Sequence, residues 1–136
     1  MKLKELKKKY PGAETFVFGD SEALCEQLLA LVRAGKKTAT CAAVEEYKMA
    51  NEAMPEPGWQ GIALNWDGTP ALVIETVEIN IIKFCDVDEE FALAEGENDS
   101  LEGWQRDHRA YFERNSGFSP EMLVVCERFR LIEDLV

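Results

Sequence analysis

With 136 residues the chain is sized for one compact domain rather than two. A composition of 46% hydrophobic and 30% charged residues excludes a disordered or collagen-like chain. The net charge of −11 excludes a protein that coats nucleic acid, because like charges oppose long-range association with a polyanion.

A lysine-rich opening, Lys2 to Lys9, predicts a short exposed helix stopped by Tyr10-Pro11-Gly12. Next, Asp20 or Ser21 caps a helix whose apolar positions Leu24, Leu28, Leu31 and Val32 recur at helical spacing. Arg33-Ala34-Gly35 ends it, with glycine at the left-handed stop. Threonines and small residues make Lys37 to Val44 a strand, and Glu45 to Glu52 a helical turn before Pro55-Glu56-Pro57-Gly58.

From Gln60 onward Ile62, Leu64 and Trp66 alternate with Gly61, Ala63 and Asn65. Asp67-Gly68 marks a tight turn into the Val/Ile-rich run Leu72 to Phe84, so this region reads as a β-hairpin with a long return strand. Asp88 caps a short helix through Phe91 and Leu93. After Glu95-Gly96-Glu97-Asn98-Asp99, the capping-box spacing of Asp99 and Glu102 opens a helix carrying Leu101, Trp104, His108, Tyr111 and Phe112 on one face. Met122 to Ile132 alternates Leu123, Val125, Phe129 and Leu131 against Val124, Cys126, Arg128 and Arg130, the pattern of a half-exposed strand. These elements make an α+β domain in which strands dominate the core.

Charge is divided unevenly. Residues 1–48 carry nine bases and seven acids, and residues 49–136 six bases and 19 acids. A small electron-rich or phosphorylated ligand can therefore approach the region of Arg33, Lys36 and Lys37. Cys25, Cys41, Cys85 and Cys126 are too widely spaced for a zinc knuckle or redox dithiol. With one histidine and no apolar segment after Met1, the expectation is a cytoplasmic protein with reduced thiols, no metal, no cofactor and no membrane partner.

Chemistry centres first on Gly35-Lys36-Lys37-Thr38-Ala39-Thr40, which lacks the glycine spacing of a P-loop. In a regular strand Lys37 and Thr40 point to opposite faces, so their convergence demands irregular backbone. A desolvated lysine beside a threonine can act as the base that activates the hydroxyl. Without that convergence the segment is a solvated loop leading into a strand. In the acidic hinge Asp99 suits a cap, whereas Glu97 lies in neither helix and is either a general acid or a solvated carboxylate. His108 reads as a structural histidine hydrogen-bonded across the core. Trp59 and Trp66 flank the first hairpin strand and either pack or stack on a planar base.

Taken in order, Gly35-Lys36-Lys37-Thr38-Ala39-Thr40, the strand through Ile74 to Ile82, and the tract Glu95 to Leu101 with Trp104, His108 and Tyr111-Phe112 resemble the ASCH domain family over roughly residues 15–133. The resemblance implies a PUA-like β-barrel of mostly antiparallel strands with flanking helices: a basic extension over 1–14 and one ASCH domain over 15–136. A shorter bacterial member deacetylates N4-acetylcytidine with a lysine base, a threonine nucleophile and a glutamate acid, and another member is a ribonuclease. By motif those roles fall on Lys37, Thr40 and Glu97; Lys36, Arg33, Trp59, Trp66 and Trp104 are the residues expected, outside that match, to contact the substrate. The arginine two places after the threonine in the shorter relative is replaced here by Ala42. The expected partner is a small nucleoside or a short RNA element, and the alternative to the amidohydrolase is an RNA-binding module or a ribonuclease on short single-stranded RNA.

Overall fold

A computed structural model describes residues 2–135, so residues 1 and 136 at the outer ends of the two expected segments lie outside the described residues. Helix α1 (Leu3–Lys9) is docked where an exposed helix was expected. Leu6 is fully buried and packs with Tyr10, Ala13, Ile62 and Val73. Lys9 and Tyr10 both donate to Glu133, at 2.6 Å each. One apolar side chain and its neighbouring anchors hold the basic extension on the domain, with its other lysines outward.

Strand β1 (Glu14–Phe16), too short to give a sequence signal, precedes α2 (Glu22–Arg33). Ser21 Oγ caps α2 by accepting from the Leu24 amide at 3.2 Å, and Gly35 terminates it at φ +76°. Cys25, Leu28, Leu29 and Val32 pack α2 against Ala63, Leu72, Ile74 and Phe129 of the sheet. Strand β2 (Ala39–Ala43) runs into α3 (Val44–Ala50), which Asn51 ends in the left-handed conformation.

The hairpin forms as its alternation predicts. β3 (Gln60–Leu64) and β4 (Pro70–Lys83) are antiparallel, and Asp67 Oδ1 accepts from the Thr69 amide at 2.9 Å in the turn. Asp88 caps α4 (Glu89–Ala94) through the Phe91 amide. Helix α5 (Leu101–Asn115) is capped by Ser100, which accepts from the Gly103 amide at 3.1 Å; the expected Asp99 cap is displaced by one residue because the serine hydroxyl occupies that role.

Strand β5 (Leu123–Asp134) completes a mixed sheet of order β1-β3-β4-β5-β2, in which the β1–β3 pair is parallel and the rest antiparallel. The expected half-exposed β5 is instead an interior strand between β4 and β2, with Val124 to Glu127 all buried. Its two faces meet different packed groups: Val124 and Cys126 join the cluster around Trp104 and Phe112, and Phe129 the cluster under α2. Register shifts at Val73/Ile74 and Thr76/Glu78 bend the long β4–β5 ladder and increase its twist. The sheet stays open, with β1 and β2 as its edges, so the expected closed barrel is not formed. Among the described residues no helix is long and apolar enough to cross a membrane.

Candidate functional site

The segment between α2 and β2 supplies the irregular backbone that convergence of Lys37 and Thr40 requires. The amides of Lys36 and Lys37 both donate to the Leu31 carbonyl, at 3.0 and 3.1 Å, so the chain turns tightly off the helix end. The Thr38 amide then bonds the Ala94 carbonyl at 2.8 Å, and regular pairing with β5 begins at Ala39. Lys37 thus escapes the strand alternation, and both Lys37 and Thr40 line one cavity. Gly96 makes the contact possible from the other side: at φ +78° it passes so near Lys36 that a Cβ would lie 2.5 Å from the Lys36 carbonyl oxygen.

Lys37 is 2% exposed, and its Nζ donates to Glu95 Oε1 at 3.2 Å, to the Glu95 carbonyl at 3.4 Å and to Glu97 Oε2 at 3.3 Å. Glu95, equally buried, accepts at Oε2 from Trp104 Nε1 at 2.5 Å and lies 3.1 Å from His108 Nε2. Burial alone would raise the Glu95 pKa. The charges of Lys37 and His108 and the hydrogen bonds from His108 and Trp104 overcome it and hold the carboxyl at about 2.

His108 follows Trp104 by four residues on α5, stacks on its indole at 4.2 Å between ring centres, and has Nδ1 2.9 Å from the Trp104 carbonyl. A carbonyl can only accept, and the Glu95 carboxylate can only accept, so the ring is best satisfied with a proton on each nitrogen. Burial lowers the His108 pKa, yet the Glu95 charge and hydrogen bond outweigh it and the net shift is upward. The result is a row of alternating sign, Glu97, Lys37, Glu95 and His108, whose middle pair is buried and whose ends are partly exposed.

These residues line a cavity of about 560 Å³ enclosed by β1, the start of α2, β2, α3, α5 and β5. That size suits a small ligand. Its aromatic wall includes Phe16, Phe18, Tyr47, Trp59 and Tyr111. Its charge is unbalanced, since Glu14, Glu46, Glu52, Glu95, Glu97, Asp107 and Glu127 stand against Lys37, Arg114 and the His108 imidazolium. Arg114 is moreover clasped by Asp20, with Nε to Oδ2 at 2.7 Å and Nη2 to Oδ1 at 3.2 Å.

Of the residues expected from sequence, Lys37, Thr40, Glu97 and Trp59 line this cavity, as does Ala42 in the position of the absent arginine. Among the described residues no hydrogen bond joins the Thr40 hydroxyl to Lys37. The other expected contacts lie elsewhere. Arg33 bonds Asp134 at 3.0 Å and the Ala71 carbonyl at 3.3 Å, on the far end of the sheet. Lys36 is exposed outside the cavity wall, and Trp66 is 47% exposed just past the end of β3. Trp104 is fully buried beneath the site, where it orients Glu95 instead of facing a ligand. Two residues escaped the sequence reading: Glu95, the shared partner of Lys37, His108 and Trp104, and Glu127, a buried carboxylate opposite Thr40 on β5.

Glu95, Glu97 and His108 present ligand atoms within 4.8 Å of one another and could hold a divalent cation. The Lys37 ammonium already bonds both carboxylates, so a metal would have to compete with it.

Comparison with known proteins places this arrangement in context. The family model described as ASCH domain matches residues 14–133. The crystal structure of an ASCH domain from Lactobacillus crispatus JV V101 is 33% identical, with a TM-score of 0.82 over 93% of this chain and 84% of that one. A protein of Enterococcus faecalis V583 is 31% identical, with a TM-score of 0.81 over 95% of this chain and 84% of its own. Among curated proteins, none matches the chain.

Proposed function

The chain belongs to the ASCH domain family, and from that premise we propose that it is an amidohydrolase acting on a modified pyrimidine nucleoside such as N4-acetylcytidine, or on a related nucleobase. The observation that carries this reading is the Lys37–Glu97 pair, 3.3 Å apart, in the wall of the same cavity as Thr40. In the resting site Lys37 is an ammonium and Glu97 a carboxylate. A proton passes from Nζ to Glu97, and the freed amine takes the proton of Thr40 Oγ1 as that oxygen attacks the acyl carbonyl. Glu97, now a carboxylic acid, protonates the exocyclic nitrogen as the carbon–nitrogen bond breaks. Water then hydrolyses the acyl-threonine ester, releasing the carboxylic acid and restoring the hydroxyl.

The Lys37–Thr40 bond this scheme needs forms with substrate in place, since catalytic hydrogen bonds commonly tighten only in the complex. Glu95 acts as a positioning residue: by bonding Nζ from the buried side it aims the amine at the cavity. The excess of carboxylates favours a neutral nucleoside over an RNA strand, whose phosphates they would repel, and so favours the amidohydrolase over the ribonuclease or RNA-binding alternative. Incubation with N4-acetylcytidine should yield cytidine and acetate by chromatography, and Thr40→Ala should abolish turnover. Undiminished turnover in that variant overturns the proposed nucleophile.

A further inference from the structure

Glu127 is unused by the scheme above, yet it is 6% exposed and forms part of the cavity wall. It sits on β5 directly across from Thr40 of β2, which sets it beside the proposed nucleophile. Its Oε2 accepts from the buried Thr76 hydroxyl at 2.7 Å, which fixes the carboxylate plane. Among the described residues Oε1 accepts from no protein donor, and it is not one of the buried unpartnered atoms, so it opens onto the cavity. A carboxylate held in place on one oxygen and open to a cavity on the other is set to accept from a donor that enters the cavity.

The rest of the cavity narrows what that occupant is. Lys37 is shared by Glu95 and Glu97, His108 is held by Glu95, and Arg114 is clasped by Asp20, so none of the three cations is free to receive an anion. Aromatic faces such as Trp59 and Tyr47 beside carboxylates suit a planar group bearing N–H or positive charge. We infer that Glu127 is a binding residue of this cleft, accepting a hydrogen bond at Oε1 from an exocyclic N–H carried on a planar ring, and that the group recognised there is neutral or cationic and never anionic. The inference rests on the reading of the same cavity as the substrate site. It adds a recognition contact on the wall formed by β5, where a carboxylate reads a donor edge as it does the amino group of a base.

Three planar probes of nearly equal shape separate charge from size: benzamidinium, benzamide and benzoate, titrated into the folded full-length chain by NMR shift perturbation. Benzamidinium should bind more tightly than benzamide, and benzoate at least about tenfold more weakly than benzamidinium, given the strength of a charged hydrogen bond. In Glu127→Gln the Thr76 hydroxyl holds the amide oxygen and turns the amide NH2 into the cavity, a donor facing a donor, so the benzamidinium preference should fall by about tenfold. Thr76→Val, which frees the carboxylate to rotate, should weaken benzamidinium to a smaller extent. Benzoate binding as tightly as benzamidinium in the unaltered chain, or an unchanged preference in Glu127→Gln, overturns the inference and leaves Glu127 a clamp between β4 and β5. Intact charge preference with no turnover of N4-acetylcytidine overturns the amidohydrolase reading alone. Turnover with an unchanged KM in Glu127→Gln overturns this one alone.

Discussion

Replacing Glu95 by glutamine tests the charge group at its centre. The substitution keeps size and leaves an oxygen for Trp104 and His108, which share Oε2, but turns an amide NH2 toward Lys37, which needs an acceptor. The magnitude follows from the carboxyl itself: its pKa drops from an ordinary 4.5 to about 2 in the folded state, which at about 1.4 kcal/mol per unit amounts to roughly 3 kcal/mol. Loss of one member of a buried ion pair is expected to cost a similar about 3–5 kcal/mol. Because the folded pKa lies below the unfolded one, this share is complete above pH 4.5 and disappears as the pH falls toward about 2. His108 has the opposite sense: its pKa is raised, so its share is complete below 6.5 and is lost as the pH climbs through the elevated folded value. Guanidinium unfolding followed by tryptophan fluorescence at several pH values should therefore give the Glu95 and His108 share a plateau between about 4.5 and 6.5 in the unaltered protein, on which Glu46 and Glu127, whose pKa values burial raises, superimpose a fall as the pH climbs above about 4.5. In Glu95→Gln that plateau should be lower by about 3 kcal/mol, and both flanks flatter. A loss below about 1 kcal/mol, or an acid flank as steep as before, refutes the reasoning that Glu95 holds the group together.

Lys37→Arg keeps a cation between Glu95 and Glu97 but removes a group that can release its proton, so deacylation of N4-acetylcytidine should fall by about 10²- to 10⁴-fold in a chromatographic rate assay. Gly96→Ala forces a Cβ to 2.5 Å from the Lys36 carbonyl at φ +78°; chemical denaturation should register a loss of about 1–3 kcal/mol. Leu6→Ala empties a fully buried position under the basic extension, and calorimetry should show a destabilisation of about 2–5 kcal/mol, whereas a dispensable appendage would leave the melting temperature unmoved.

What was legible in the sequence was what repeats. Helix α2, the β3–β4 hairpin and α5 have strong periodicity and clear stops, and each forms within a few residues of its reading. Helix α1 misleads because seven residues with four lysines read as solvated, although burial of Leu6 and the anchors of Lys9 and Tyr10 on Glu133 dock them. Barrel closure was a property of the resemblance. The hydrogen-bonded ladder here ends at β1 and β2, and nothing in either strand's few residues indicates whether such edges meet.

At the site the limit was loops. Glu95 and Glu97 are two acids two residues apart in a turn without period, and only tertiary packing decides that the first is buried on Lys37 while the second faces the cavity. Trp104 is legible as one face of a periodic helix, but periodicity does not say that this face points at the core, where its one polar atom reaches Glu95. Glu127 differs. It occupies the alternation position between Val125 and Phe129, two buried side chains, so an acid there demands a polar partner inside the protein or a ligand beside it. Thr76 satisfies one oxygen only. The signal is therefore present in the strand pattern as a charged residue in phase with its apolar neighbours, and the structure places its remaining oxygen in the cavity wall opposite Thr40.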